Sequence, residues 1–188
     1  MRVTVFCSAN SGIDPKFFAA ASEFAEGLVQ RRGELLYGGA QVGLMGHFAN
    51  EVIRRGGVAR GAITEGLAKT REMAHEGLKE LVIVKDLFDR KRWMMDNADA
   101  FVIFPGGYGT LDEALEVITW KSLDCFDKPI VFVNLEGFWQ SQIKVFEEFM
   151  DRGFIRTRPA GSELFEVRNT IEEVWAVLDG SGIVTVRE

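Results

Sequence analysis

Cysteine, histidine and proline are scarce in this sequence: its 188 residues include two cysteines, two histidines and four prolines. Cys7 and Cys125 stand far apart, without the CxxC or Cys/His spacing of a zinc site. We therefore expect no metal site and no disulfide framework, and we predict a reducing compartment, the cytoplasm. With only two histidines, His47 and His75, the sequence has few candidates for the base of a Ser-His-Asp triad.

Long apolar runs and a positive charge balance are also missing. No stretch approaches the roughly 18 apolar residues of a membrane-spanning helix, and the first residues lack the long apolar segment of a signal peptide. The net charge of −6 argues against a nucleic-acid polymer, which requires a clustered basic face. We expect no membrane and no nucleic-acid partner, but one small phosphorylated ligand remains compatible because a nest of amides can hold it.

Short strand-like runs alternate with longer helical patterns. The length favours one domain, predicted over residues 1–179, with a tail at 180–188. The strand-like runs are almost continuously apolar, which is typical of a parallel sheet covered on both faces. We therefore predict an α/β fold, Rossmann-like and doubly wound, with a mainly parallel sheet of about six to seven strands and helices on both faces. The predicted strands are 3–7, 34–37, 58–63, 81–84, 100–104, 129–134 and 164–167. The predicted helices are 14–32, 44–55, 87–98, 110–123, 138–152 and 171–178, and 64–79 is expected to form a polar, mobile loop, either irregular throughout or with a short helix.

Three glycine-rich segments follow predicted strands: CSANSG (7–12), YGGAQVGLMG (37–46) and PGGYGT (105–110). In an open α/β sheet, ligands bind beyond the carboxyl ends of the strands, where these loops would meet. Glycine lets backbone N–H groups approach an anion, although each loop taken alone could simply turn the chain. The dinucleotide motif G-x-G-x-x-G does not follow the first strand, and G-x-x-x-x-G-K-[ST] is absent. A mononucleotide-sized site therefore suits the loops best.

Two charged groups flank the third loop. Thr110 and Glu113 have the spacing of a capping box, which predicts a helix capped by Thr110. Glu113 and Glu116 are three residues apart, so both could face the cleft. Arg90 and Lys91 open the helix after the fourth strand at the same sheet edge. They form either a solvated face or a cationic pair for an anionic substrate.

These residues together resemble the Lonely Guy family of cytokinin-activating phosphoribohydrolases, long labelled as possible lysine decarboxylases. The family motif P-G-G-x-G-T-x-x-E is matched in full at residues 105–113. The continuation EVITW (116–120), the segments YGG (37–39) and VGLMG (42–46), and the pair Arg90-Lys91 are also similar. The resemblance covers nearly the whole chain.

The resemblance implies a site and an assembly. It makes Arg90 and Glu113 the catalytic pair. It implies a homodimer whose shared cleft completes the active site, and no cofactor. The residues that it implies for substrate binding are Glu72, Arg90, Lys91, Gly106, Gly107, Tyr108, Gly109, Thr110, Leu111, Asp112 and Thr119.

The implied reaction is hydrolysis of the N-glycosidic bond of a nucleoside 5′-monophosphate, either a cytokinin riboside 5′-monophosphate or AMP, to free base and ribose 5-phosphate. One alternative is an AMP nucleosidase without cytokinin preference. Another is a non-catalytic nucleotide- or cofactor-binding carrier on the same fold. A decarboxylase with Lys91 or Lys121 as a Schiff-base lysine ranks last, because no pyridoxal motif is visible.

Overall fold

The computed structural model describes residues 1–69, 74–155 and 163–182, and within them seven strands form one sheet in which every neighbouring pair is parallel. The strands are β1 (Arg2–Phe6), β2 (Glu34–Tyr37), β3 (Val58–Thr64), β4 (Glu80–Val84), β5 (Ala100–Ile103), β6 (Ile130–Val133) and β7 (Glu166–Arg168). The helices are α1 (Pro15–Gln30), α2 (Gly43–Arg54), α3 (Glu65–Lys69), α4 (Leu87–Asn97), α5 (Tyr108–Ser122), α6 (Gln140–Asp151) and α7 (Ile171–Gly180), with a 3₁₀ turn at Leu135–Gly137.

The strand order is β4-β3-β2-β1-β5-β6-β7. The chain builds outward from β1 in one direction and then returns to add β5, β6 and β7 on the other side. The order therefore reverses between β1 and β5, and in doubly wound folds ligands bind in the crevice at such a point, beyond the carboxyl ends of the strands. The predicted Rossmann-like, doubly wound fold is confirmed.

Two apolar clusters cover the two faces of the sheet. Val3 and Val5 of β1 face α1, α2 and α7, where Phe24 stacks on Trp175 with ring centroids 4.5 Å apart. Phe6 faces α4 and α5 and stacks on Phe101 of β5. Alternate side chains of one strand thus enter opposite clusters, which explains why the strands read as unbroken apolar runs.

Several element boundaries differ from the predictions. The last strand, β7 (Glu166–Arg168), begins two residues later than expected. The segment 64–79 does include a short helix, α3, one of the two forms expected for it. The prediction that Thr110 caps a helix is wrong: α5 begins at Tyr108, its N-cap is Gly107, and no side chain caps it. Gly107 is extended and leads straight into the helix, which places Thr110 inside the first turn. Among the described residues, no helix is long and apolar enough to cross a bilayer.

Candidate active site

The three glycine-rich loops meet at the carboxyl edge of the sheet. The Ser8 amide donates to the Pro105 carbonyl at 3.2 Å, which joins the first loop to the third. The Leu44 amide donates to the Ser8 carbonyl at 3.0 Å, which joins the second loop to the first. The loops therefore form one structure at the crevice between β1 and β5.

The start of α5 is an open turn of backbone amides. The first helical hydrogen bond runs from the Leu111 amide to the Gly107 carbonyl at 3.0 Å, so the N–H groups before Leu111 have no partner inside the helix. A Cβ at Gly107 or Gly109 would meet no atom within 4 Å. The Tyr108 side chain is 96% exposed, so it leaves the turn uncovered. Unpaired amides and the positive end of the helix dipole suit a bound phosphate.

Thr110 lies beneath this turn rather than at its entrance. Its side chain is buried, and a Cβ at Gly106 would lie only 2.1 Å from its Oγ1. Glycine at 106 is therefore required for the turn to close over Thr110. The expected binding segment 106–112 is thus a continuous first turn of α5 and the loop before it.

Arg90 extends from α4 across the ends of β2 and β3. Its side chain is only 7% exposed; Nε donates to the Ala62 carbonyl at 3.1 Å and Nη2 to the Gly38 carbonyl at 2.7 Å. A Cβ at Gly38 would lie 2.0 Å from Nη2, so only glycine leaves space for the guanidinium here. The two carbonyls fix the orientation of the planar cation.

Glu113 is half-buried on α5, one helical turn beyond the open amides. Burial first, and the Glu113 charge second, raise the pKa of the Cys7 thiol well above its usual value. Burial and nearby Cys7 also raise the pKa of the Tyr37 hydroxyl, with Arg90 opposing the shift. Glu113 and Arg90 therefore both lie within electrostatic reach of the Cys7–Tyr37 pair, and that pair stays neutral at neutral pH.

Lys91 is bound to two carboxylates of α5. Its Nζ lies 3.0 Å from Asp112 Oδ2 and 2.5 Å from Glu116 Oε2. Glu116, which the helical spacing could have turned to the cleft beside Glu113, is thus engaged by Lys91. The pair Arg90-Lys91 is not a solvated face, because both side chains are largely covered and bound.

One other predicted site residue, Thr119, stands apart from this cluster. Thr119 is exposed farther along α5, and its hydroxyl donates to the Leu115 carbonyl of its own helix at 2.7 Å. Glu72 lies outside the described residues. Among the residues that the structure does describe, no group of three or more His, Cys, Asp or Glu side chains is arranged to hold a metal ion.

Sequence reasoning missed three neighbours of the catalytic candidates. Gly38 was assigned to a glycine loop and not to the Arg90 contact, although a glycine directly after a strand does indicate space for another group. Cys7 and Tyr37 are predicted to end strands and to begin two of the glycine-rich segments, and the sequence indicates no contact between them and the catalytic candidates. The Tyr37 hydroxyl is buried and has no hydrogen-bond partner within the described residues, and nothing local in the sequence signals that.

Comparisons with known proteins agree with this architecture. Residues 45–178 match the family model described as "Possible lysine decarboxylase". The chain is 42% identical over 154 residues to the cytokinin riboside 5′-monophosphate phosphoribohydrolase LOG7 of Arabidopsis thaliana, covering 82% of this chain and 70% of that protein. It is 39% identical over 153 residues to the cytokinin riboside 5′-monophosphate phosphoribohydrolase of Rhodococcoides fascians, covering 81% of this chain and 77% of that protein.

A solved structure shares the fold at much lower identity. The molybdenum cofactor carrier protein of Chlamydomonas reinhardtii superimposes with a TM-score of 0.69 at 16% identity, covering 95% of this chain and 96% of that one. At such identity the similarity concerns the fold alone. The matched motif, the family model and the identities near 40% show more than the fold. They show that the chain belongs to the Lonely Guy family, the phosphoribohydrolases whose family model is described as possible lysine decarboxylase.

Proposed function

We propose that the protein hydrolyses the N-glycosidic bond of a nucleoside 5′-monophosphate, a cytokinin riboside 5′-monophosphate or AMP, and releases the free base and ribose 5-phosphate. The observation that carries the proposal is the open amide turn of α5, which lies one helical turn before the half-buried carboxylate of Glu113. Relatives at 39–42% identity are named for this reaction. No cofactor is needed, since water is the only co-substrate.

The 5′-phosphate binds at the start of α5 in this proposal. The segment 106–112 offers backbone N–H groups, and the helix adds about half a positive charge at its N-terminus. Binding the phosphate there fixes the ribose with respect to α5. That fixed position lowers the barrier, because the reacting atoms no longer have to find each other.

Glu113 acts at the ribose. Breaking the C1′–N bond builds positive charge on the ring, as in glycoside hydrolysis, and an ionised carboxylate nearby stabilises it. The same carboxylate accepts a proton from the attacking water. The water oxygen becomes the new hydroxyl at C1′, and the base leaves with the bonding electrons and takes up a proton from solvent. Glu113 then releases the water proton to solvent, so that the reaction balances. Because Cys7 and Tyr37 stay neutral, neither of them adds a negative charge that would oppose ionisation of Glu113.

Arg90 orients the substrate as a permanent cation. A guanidinium keeps its proton at neutral pH, so Arg90 is unsuited to protonate the leaving base. Its two carbonyl contacts hold the planar group in one orientation beside the crevice. Glu72, Lys91 and Thr119 complete the proposed substrate-binding set on the strength of the family resemblance.

A homodimer is the proposed assembly. Large apolar side chains are exposed on α4 and α5, the helices that carry Arg90 and Glu113, and Phe88 is 72% exposed. The others on these helices are Leu87, Tyr108 and Leu115. A second copy that covers them would also close the crevice. Light scattering coupled to gel filtration tests this assembly. The cytoplasm is the proposed compartment, in keeping with two unpaired thiols, Cys7 and Cys125.

Chromatography of products from a panel of nucleoside monophosphates tests the function. We expect base and ribose 5-phosphate in equal amounts from at least one nucleotide. Comparing AMP with isopentenyl-AMP separates a cytokinin-activating enzyme from an AMP nucleosidase without cytokinin preference. Nucleotide binding without base release from any member of the panel would instead establish the carrier alternative.

A further inference from the structure

Tyr37 carries a buried hydroxyl that the packing of the fold does not use. The residue ends β2, its side chain is only 1% exposed, and its hydroxyl has no hydrogen-bond partner within the described residues. Its ring belongs to the apolar cluster that faces α1 and α2. An unpaired hydroxyl in such surroundings destabilises the folded state, because it loses its hydrogen bonds to water and gains none. An exception of this kind calls for an explanation.

Phenylalanine would fill the same space without a hydroxyl to desolvate. The chain has fifteen phenylalanines and two tyrosines, and the second tyrosine, Tyr108, is exposed. Trp139 and Trp175 also have a buried N–H without a partner in the described part of the chain, but that N–H belongs to the indole ring itself. The other fully buried phenyl rings among the described residues are all phenylalanine, at Phe24, Phe48, Phe101, Phe104 and Phe132. The hydroxyl of Tyr37 is therefore the feature to explain, not its ring.

Tyr37 lies beside the two carbonyls that hold Arg90. In the parallel sheet it is directly opposite Gly61 of β3. The next residue on each strand supplies one of the two carbonyls: Gly38 accepts from Arg90 Nη2 at 2.7 Å, and Ala62 accepts from Nε at 3.1 Å. The tyrosine thus ends its strand one residue before the group that fixes the guanidinium.

The Tyr37 hydroxyl acts on Arg90 as a neutral dipole. The positive charge of Arg90 opposes the effect of burial on the pKa of Tyr37, so the two groups lie within electrostatic reach of each other. Burial prevails and keeps this pKa above its ordinary value, so the hydroxyl retains its proton. Arg90 is itself largely buried, and a buried cation depends on nearby dipoles in place of water. In a medium of low dielectric constant, an O–H dipole beside a cation is stronger than in water.

We infer that the Tyr37 hydroxyl is a positioning residue for Arg90: with the carbonyls of Gly38 and Ala62 it forms the set of oxygen dipoles that holds the buried guanidinium in its working orientation. The inference rests on the proposed function, because Arg90 orients the substrate of that reaction. It adds a residue outside the proposed substrate-binding set. It also explains why a group that weakens the fold is present at the carboxyl end of β2.

The test is Tyr37→Phe, which removes the hydroxyl and keeps the ring. We expect kcat to fall by about 10-fold, less than the roughly 10²–10³-fold loss when a donor that touches the reacting atoms is removed. The Kd of AMP should stay within about threefold of wild type, because the 5′-phosphate binds at the start of α5. The urea midpoint of unfolding should equal or exceed that of wild type, since an unpaired hydroxyl has been removed.

Ser22→Ala is the matched control, because it also deletes one hydroxyl. The Ser22 hydroxyl on α1 donates to the Phe18 carbonyl at 3.1 Å and lies 2.8 Å from His47 Nε2, so it is paired. We expect a lower urea midpoint and wild-type kcat. The two variants should therefore differ from wild type in opposite respects, one in turnover and the other in stability.

Four results overturn the inference. Wild-type kcat in Tyr37→Phe would leave the hydroxyl without a role, and a raised Kd for AMP at unchanged kcat would make it a direct ligand. A lowered midpoint, or failure to fold, would show that the hydroxyl serves the structure. An equal fall in kcat in Ser22→Ala would show that the loss is not specific to the surroundings of Arg90. A wild-type chain that releases no base from any nucleotide overturns the proposed function itself, and with it the role of Tyr37.

Discussion

Two helices of this protein contain the same four-residue pattern, Thr-x-x-Glu, and use it in opposite ways. At the start of α7, Thr170 accepts from the Glu173 amide at 3.2 Å while the Glu173 carboxylate accepts from the Thr170 and Asn169 amides. That is a complete capping box. At the start of α5, Thr110 is buried inside the first turn, and the N-cap is Gly107, which has no side chain to accept a hydrogen bond from the helix amides.

The difference comes from the residues before the threonine. Gly106 and Gly107 allow α5 to begin two residues earlier than Thr110, so the threonine packs beneath the turn instead of closing it. At α7 the helix begins directly after Thr170. One helix start thus satisfies its own amides and gains stability, whereas at the other no side chain caps the amides. This division predicts that changes at α7 alter stability and changes at α5 alter activity.

The largest expected difference in kcat is that between Glu113→Gln on α5 and its matched variant on α7, Glu173→Gln. Loss of the Glu113 carboxylate should lower kcat by about 10²–10⁴-fold, because the amide can neither accept the water proton nor balance the charge on the ribose. Glu173→Gln should keep wild-type kcat. Base release measured by chromatography decides between them, and comparable turnover in both variants would remove the proposed role of Glu113.

Gly38→Ala should cause the second-largest loss of activity. The new methyl group would lie 2.0 Å from Arg90 Nη2 and must displace the guanidinium, so we expect kcat to fall by about 100-fold. Gly180→Ala, at the end of α7, adds a methyl group with no atom within 4 Å and should be fully active. Steady-state kinetics of both variants is the measurement. An active Gly38→Ala variant would show that the orientation of Arg90 is not required.

Thr170→Ala should affect stability alone. Losing the N-cap of α7 should lower the free energy of unfolding by about 1 kcal/mol, since the Glu173 amide loses its acceptor. Chemical denaturation measures the change, with kcat as the accompanying readout. A drop in kcat with an unchanged free energy of unfolding would contradict the purely stabilising role of the α7 start.

The smallest expected effect concerns acid stability at the far end of α7. Arg31 of α1 binds Asp179 with Nη2 2.8 Å from Oδ2, and this hydrogen bond lowers the pKa of Asp179 below 3.8. A lowered folded-state pKa stabilises the native state above the unfolded pKa, and this contribution disappears as the pH falls through the folded value. Because the pair is partly exposed, the effect should be small. Asp179→Asn should unfold slightly more easily than wild type at pH 7, and this difference should shrink as the pH falls toward 2; a difference that does not shrink would contradict the ion-pair origin.

The fold and the location of the site could be predicted because both depend on local patterns. Continuous apolar runs such as β5 indicate a parallel sheet, and a glycine-rich loop after such a run marks the carboxyl edge. The start of α5 could not be predicted from its threonine, since the same spacing at α7 does form a box. The contacts of Arg90 with Gly38 and Ala62 join residues 52 and 28 positions apart, and those of Lys91 join two separate helices. Such partners depend on how the elements pack, and no local pattern encodes that.

The most direct measurement is a crystal structure of Glu113→Gln soaked with AMP. The account predicts that the 5′-phosphate oxygens accept hydrogen bonds from the backbone amides at the start of α5 and that C1′ faces residue 113. A phosphate bound elsewhere, or a ribose directed away from residue 113, would contradict it.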